Sequence, residues 1–134
     1  MIDPELRDLW TPTGLLLGFQ VTFFKWRLER EVGIADKDVV SWLAPSDYLS
    51  ILGMLCFVVG VILLPVAGVA ATPFARTSFG LGALIFIGQS FGLAAHYELY
   101  DLEKRTFAWF PTQEKVAVTL TISAAVLYLV VMLK

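Results

Sequence analysis

Polar and apolar positions along the chain fall into long blocks. Between residues 48 and 97 the only formally charged side chain is Arg76, and between 116 and 133 there is none. A hydrocarbon core about 30 Å thick asks a helix for about 20 such residues. Pro73 and Arg76 divide the first block. The pattern therefore predicts spans over about 47–71 and 74–97, roughly 37 and 36 Å long at 1.5 Å per residue, and another over about 113–133. Thr72-Pro73 reads as an N-cap followed by proline at the first helical position, where the missing N–H would be unpaired anyway. Thr112, with Gln113 and Glu114 in the first turn, opens the last span, and Ser46 with Asp47 opens the one at 47–71. Both carboxylates then complement a helix N-terminus.

The amino-terminal stretch is more polar. Thr11-Pro12 marks a helix start, and residues 9–24 carry no charge, with Gln20 their most polar member. Trp10 and Trp26 would sit about 24 Å apart along a helix, a spacing suited to aromatic anchors at two interfaces. A span over about 11–27 is the favoured reading. Its competitor is a helix lying flat with Leu15, Phe19, Phe23 and Trp26 on one face. Short interfacial segments are expected at 36–43 and around Phe107, Trp109 and Phe110.

Composition agrees with these blocks. Hydrophobic residues make up 57% of the chain and charged ones 16%, against about 25% charged in soluble domains. The fold class is therefore all-α, a polytopic membrane bundle of four helices forming a single domain over 1–134. Ten basic against twelve acidic residues exclude a nucleic-acid surface. Lys25, Arg27, Arg30, Lys37, Lys104, Arg105 and Lys115 fall at one face, while Arg7, Arg76 and Lys134 fall at the other. That imbalance places the loops at 28–46 and 98–112 in the cytoplasm and the chain in the cell membrane. Lys25, Arg27 and Arg30 become candidate lipid-headgroup contacts.

Chemistry is sparse. One cysteine, Cys56, cannot form an internal disulfide, and one histidine, His96, excludes sites built from several histidines. No cofactor or metal is expected. His96 and Glu98 are two residues apart and diverge on a helix, so they make a poor ligand pair. Asp101 and Arg105 are spaced to pair along a continued helix. Neither a nucleophile elbow nor a Walker loop nor a zincin motif is present. A lipid-modifying enzyme is consequently the least favoured reading.

Small and polar residues of the 74–97 helix share one stripe: Ser78, Gly82, Gln89, Gly92 and His96, with Gly88 and Gly92 four apart. Such a stripe permits close helix approach in lipid, either within one bundle or as a seam between copies. Gly14 and Gly18 form a similar step, and Gly53, Cys56 and Gly60 a smaller row. Gln89, deep in its span, needs polar company, with Thr119 and Ser123 as candidate partners. Gln89 and His96 are the candidate pore or proton-responsive residues. The expected function is action by assembly: a homo-oligomer forming an ion or small-solute path, with an accessory subunit of a larger membrane protein as the alternative.

Overall fold

The computed structural model describes residues 4–34, 43–97 and 109–134. The interfacial expectations at 36–42 and at Phe107, and those for Glu98, Asp101 and Arg105, lie outside these residues. Among the described residues the chain is all-helical: α1 (Pro4–Ile34), α2 (Pro45–Val66), α3 (Thr72–His96) and α4 (Thr112–Met132). The last three are long and apolar enough to cross a membrane. α1 is not among them, because Thr11, Thr13, Gln20, Thr22 and Lys25 dilute its apolar character.

Two helices depart from the boundaries expected. α1 begins at Pro4 and runs through Pro12 instead of starting there. Pro4 itself supplies a proline suited to a helix start. Pro12 leaves the Asp8 carbonyl without its helical donor, while the hydroxyl of the next residue, Thr13, donates to the Leu9 carbonyl at 2.6 Å. α2 widens into a π-helical stretch over Cys56–Leu63 and stops at Val66, short of residue 71. It stops there because Gly68 takes φ +70°, a conformation open to glycine. The Gly68 N–H then donates to Pro65 O and the Val69 N–H to Leu64 O, a Schellman closure.

α3 is the centre of the bundle, packed against α1, α2 and α4. Its small residues set the register with α2. A Cβ added at Gly92 would lie 2.6 Å from Ser46 Oγ, and one at Gly82 would lie 2.8 Å from the Phe57 ring. Gly60 of α2 returns the contact against Ser78. Residue numbers fall along α2 as they rise along α3, so the pair is antiparallel. On its other side α3 packs Gly80 against Tyr128 and Gly88 against Thr121 of α4, again antiparallel. α1 runs parallel to α3. Near its start, Glu5 Oε2 accepts from Arg76 Nη2 at 2.6 Å; near its end, Arg27 meets Tyr97. From Glu5 to Arg27 is about 33 Å of helix, the depth of the slab that the other helices define.

The glycines divide by what faces them. Gly82→Ala should destabilise by about 1–3 kcal/mol, because the added methyl would press on the fully buried Phe57 ring. Gly14→Ala, with nothing within 4 Å, should be neutral or stabilising by up to about 1 kcal/mol. Thermal unfolding in detergent would show opposite or unequal shifts; equal losses at the two positions would contradict the packing described.

Candidate functional site: a buried charged cluster at one end of the bundle

Three carboxylates and one arginine meet where α1 and α3 end and α2 and α4 begin. Arg27 and Asp47 are each 2% exposed and Glu114 is fully buried. Arg27 Nη2 lies 3.3 Å from Asp47 Oδ2, and its Nη1 bonds Glu31 Oε1 and the Tyr97 hydroxyl, the latter at 2.8 Å. Tyr97 in turn donates to Glu31 at 2.9 Å. Asp47 Oδ2 also accepts the Ala44 N–H at 3.0 Å, so it serves its own helix start as expected while pairing with a neighbouring helix.

The second half of the cluster centres on Glu114. Its Oε1 accepts both the backbone N–H of Ser46, at 3.0 Å, and the Ser46 hydroxyl, at 2.5 Å. Its Oε2 lies 2.7 Å from His96 Nδ1. Glu114 stands in the first turn of α4, so the dipole argument that predicts a carboxylate there holds. It misses the larger role, which is to join α2, α3 and α4. Nearby, Trp109 Nε1 donates to the Leu43 carbonyl at 3.2 Å.

The order of these contacts limits the chemistry. Nucleophile activation needs a histidine between the serine and the carboxylate, so that the imidazole can take the hydroxyl proton. Here the carboxylate sits in the middle and the fully buried Ser46 gives its hydrogen bond to it. Ser46 is therefore held as a donor and is not activated. Among the described residues no cluster of three His, Cys, Asp or Glu side chains is placed to hold a metal ion. What the cluster does is keep charge out of solvent by pairing it. Asp47, Glu31 and Glu114 face Arg27 and His96, and Asp47 feels the charges of Arg27, His96 and Glu114 together.

Deeper in the bundle lies a second polar layer. Gln20 of α1 is fully buried and donates through Nε2 to the Ser50 carbonyl at 3.0 Å. Its Oε1 and the Ser50 hydroxyl have no partner. Gln89 is 1% exposed, and neither its amide nitrogen nor its oxygen is hydrogen-bonded. The register fixed by Gly92 on Ser46 and Gly82 on Phe57 puts Gln89 opposite about residue 50 of α2. Below this layer Phe57 and Phe79 close the interior, their rings 6.0 Å apart.

The residues singled out from sequence are distributed unevenly over this arrangement. Ser78, Gly82 and Gly92 face α2 and Gly88 faces α4, all inside one chain. Gln89 and His96 line the interior. Thr119 and Ser123 are exposed, away from Gln89, whereas Thr121 packs on Gly88 and donates to Ala117 O at 2.8 Å. Of the three basic residues read as headgroup contacts, Arg27 is buried and pairs with Asp47 and Glu31. Lys25 is exposed and lies 3.5 Å from Glu29, and Arg30 is exposed.

Two outcomes check the cluster. Glu114→Ala leaves a buried N–H and hydroxyl of Ser46 unanswered, and should lower stability by about 3–5 kcal/mol, the usual cost of removing one side of a buried charged contact. Ser46→Ala removes one bond of the set and should cost about 1–2 kcal/mol. Urea-in-detergent unfolding monitored by tryptophan fluorescence would rank them, and equal small losses would mean that Glu114 is not the joint. The second outcome concerns acid. Burial pushes the Glu31 carboxyl up, but the Tyr97 hydroxyl and the Arg27 guanidinium outweigh it and hold Glu31 below its usual 4.5. A depressed folded value stabilises above the unfolded value and is lost as pH falls through the folded one. Thermal midpoints should therefore decline below about pH 4.5, and Glu31→Gln should flatten that decline. No family model, curated protein or solved structure matches the chain.

Proposed function

We propose that the chain is a four-span protein of the cell membrane that provides an ion path, for protons or a small cation, through its own polar interior. The observation that carries this reading is Gln89: an amide about two turns inside the end of a span, 1% exposed, with both polar atoms unpaired. Buried amides without partners cost about 1–3 kcal/mol per atom in folded proteins, so a sequence that keeps one has a use for it. Level with Gln89 lies Ser50, and above it lie Asp47, His96 and Glu114, side chains with atoms able to carry a proton, with Arg27 among them as a fixed positive charge. Below it Phe57 is the closure that would have to move.

α1 is the fourth span in this reading. Its ion pair at Arg76 and its contacts at Asp47 tie it to both ends of the bundle. Lys and Arg placement puts the charged cluster on the cytoplasmic side. Assembly into a homo-oligomer would use outer faces, since the glycine stripe of α3 is already occupied within the chain. α4 offers such a face: Val116, Leu120, Leu127 and Val131 are all more than half exposed. The same face would serve an accessory subunit of a larger membrane complex. A catalytic reading is disfavoured by the Ser46–Glu114–His96 order.

Reconstitution into liposomes with a trapped pH indicator tests the path. The protein should dissipate an imposed proton or alkali-cation gradient faster than empty vesicles, and Gln89→Leu should remove at least about 90% of that flux with helicity unchanged. Flux no greater than that of empty vesicles, or a Gln89→Leu protein as active as the parent, would sink the proposal. Native mass spectrometry of the same preparation reads assembly: a discrete multimer supports the homo-oligomer, and a monomer transfers the α4 face to a different partner.

A further inference from the structure

A crevice of about 200 Å³ opens between α1 and α3 beside the charged cluster, lined by Phe23, Trp26, Arg27, Arg30, Ser90 and Tyr97 among others. It is smaller than the ~300 Å³ at which pockets begin to enclose whole drug-sized ligands. A headgroup-sized moiety is therefore what it can admit. Two independent features say that this moiety presents oxygen acceptors. Arg30 makes no ion pair among the described residues. Its guanidinium is stacked instead, 4.4 Å from the centre of the Tyr97 ring and 5.8 Å from that of Trp26. Stacking occupies the faces of the guanidinium and leaves its in-plane N–H edge for oxygen acceptors. Arg27, on the crevice wall, is 2% exposed, and its Nε–H is buried without a partner. The crevice thus offers a guanidinium edge that no carboxylate of the described residues occupies and one unused buried donor.

We propose that this crevice binds the phosphodiester of an anionic phospholipid, with Arg30 and the Nε–H of Arg27 on the phosphate oxygens. The acyl chains would run along Phe23 and Phe19, both exposed on the outer side of α1. A quaternary ammonium is disfavoured, because Arg30 already covers the aromatic rings that would receive it. The two basic side chains belong to the end where Lys and Arg accumulate, facing the leaflet in which anionic lipids concentrate. Lys25 has no part in the site: it lies 3.5 Å from Glu29 and is not a wall of the crevice. The proposal rests on α1 crossing the membrane but not on ion flux, so failure of the flux experiment leaves it standing.

Native mass spectrometry of the protein released from mixed micelles tests it, with phosphatidylglycerol and phosphatidylcholine at equal amounts. The parent protein should retain phosphatidylglycerol over phosphatidylcholine by about fivefold, the factor expected from one basic residue at the interface. Arg30→Gln should remove that preference while Lys25→Gln keeps it, with circular dichroism confirming unchanged helicity in both. Equal retention of the two lipids by the parent, or equal loss of preference in both variants, would overturn the site in favour of diffuse surface charge. Displacement of the lipid by millimolar inorganic phosphate would overturn the lipid as occupant and make the crevice a site for free anions.

Discussion

Glu114 has no contact with solvent, yet its two oxygens take hydrogen bonds from a backbone N–H, a hydroxyl and an imidazole on two other helices. A carboxylate in such a place is tolerable only when paired and hydrogen-bonded, since moving it out of water unaided costs several kcal/mol. That constraint organises the whole end of the bundle. Ser46 must present both its N–H and its hydroxyl, which fixes how α2 begins. Gly92 must be glycine for α3 to come close enough to Ser46. His96 is then carried to the opposite oxygen by the same helix, four residues on. The second half of the cluster follows the same logic: Arg27 can be buried on α1 only because Asp47 and Glu31 answer it.

Small residues and buried charge thus support one another. In a membrane, lipid tails solvate apolar side chains as well as another helix does, so close packing and polar contacts must hold helices together. α3 supplies both along one face: Gly82 lets Phe57 seat, Ser78 fits against Gly60, and Gly92 meets Ser46. α4 shows the reverse case. It is joined through Glu114, Thr121 and Tyr128, while its outer side is given over to exposed aliphatic residues.

The sequence makes some of this legible and hides the rest for physical reasons. Charge-free blocks predict the last three helices because desolvation forbids stray charge over 20 residues. The polar stripe of α3 shows that one face meets protein, and glycine spacing shows where. It does not show which helix receives each glycine, since Gly88 and Gly92 belong to one four-residue step but face α4 and α2 respectively. The beginning of α1 is misjudged at Thr11-Pro12, because a proline also survives inside a helix where the freed carbonyl can find water. Asp47 and Glu114 each have a sufficient local explanation at a helix start, and this conceals their long-range partners, 20 residues away at Arg27 and 68 away at Ser46. Read together, an arginine ending one apolar stretch and a carboxylate opening the next would have pointed to that pair.

The polar interior is asymmetric, and the asymmetry bears on what the bundle can do. At the Glu5 end an exposed ion pair to Arg76 joins α1 to α3, with side chains about half exposed, and such pairs contribute little. At the other end buried charge reaches inward to Asp47, and uncharged polar groups continue to Gln20 and Gln89 before Phe57 stops them. A stabilising device alone would end with the charged layer, because each further buried amide adds desolvation without a partner to offset it. The orphaned oxygen of Gln20, the hydroxyl of Ser50 and both ends of Gln89 go beyond that point. Their placement beyond the charged layer is the support on which the proposed ion path rests.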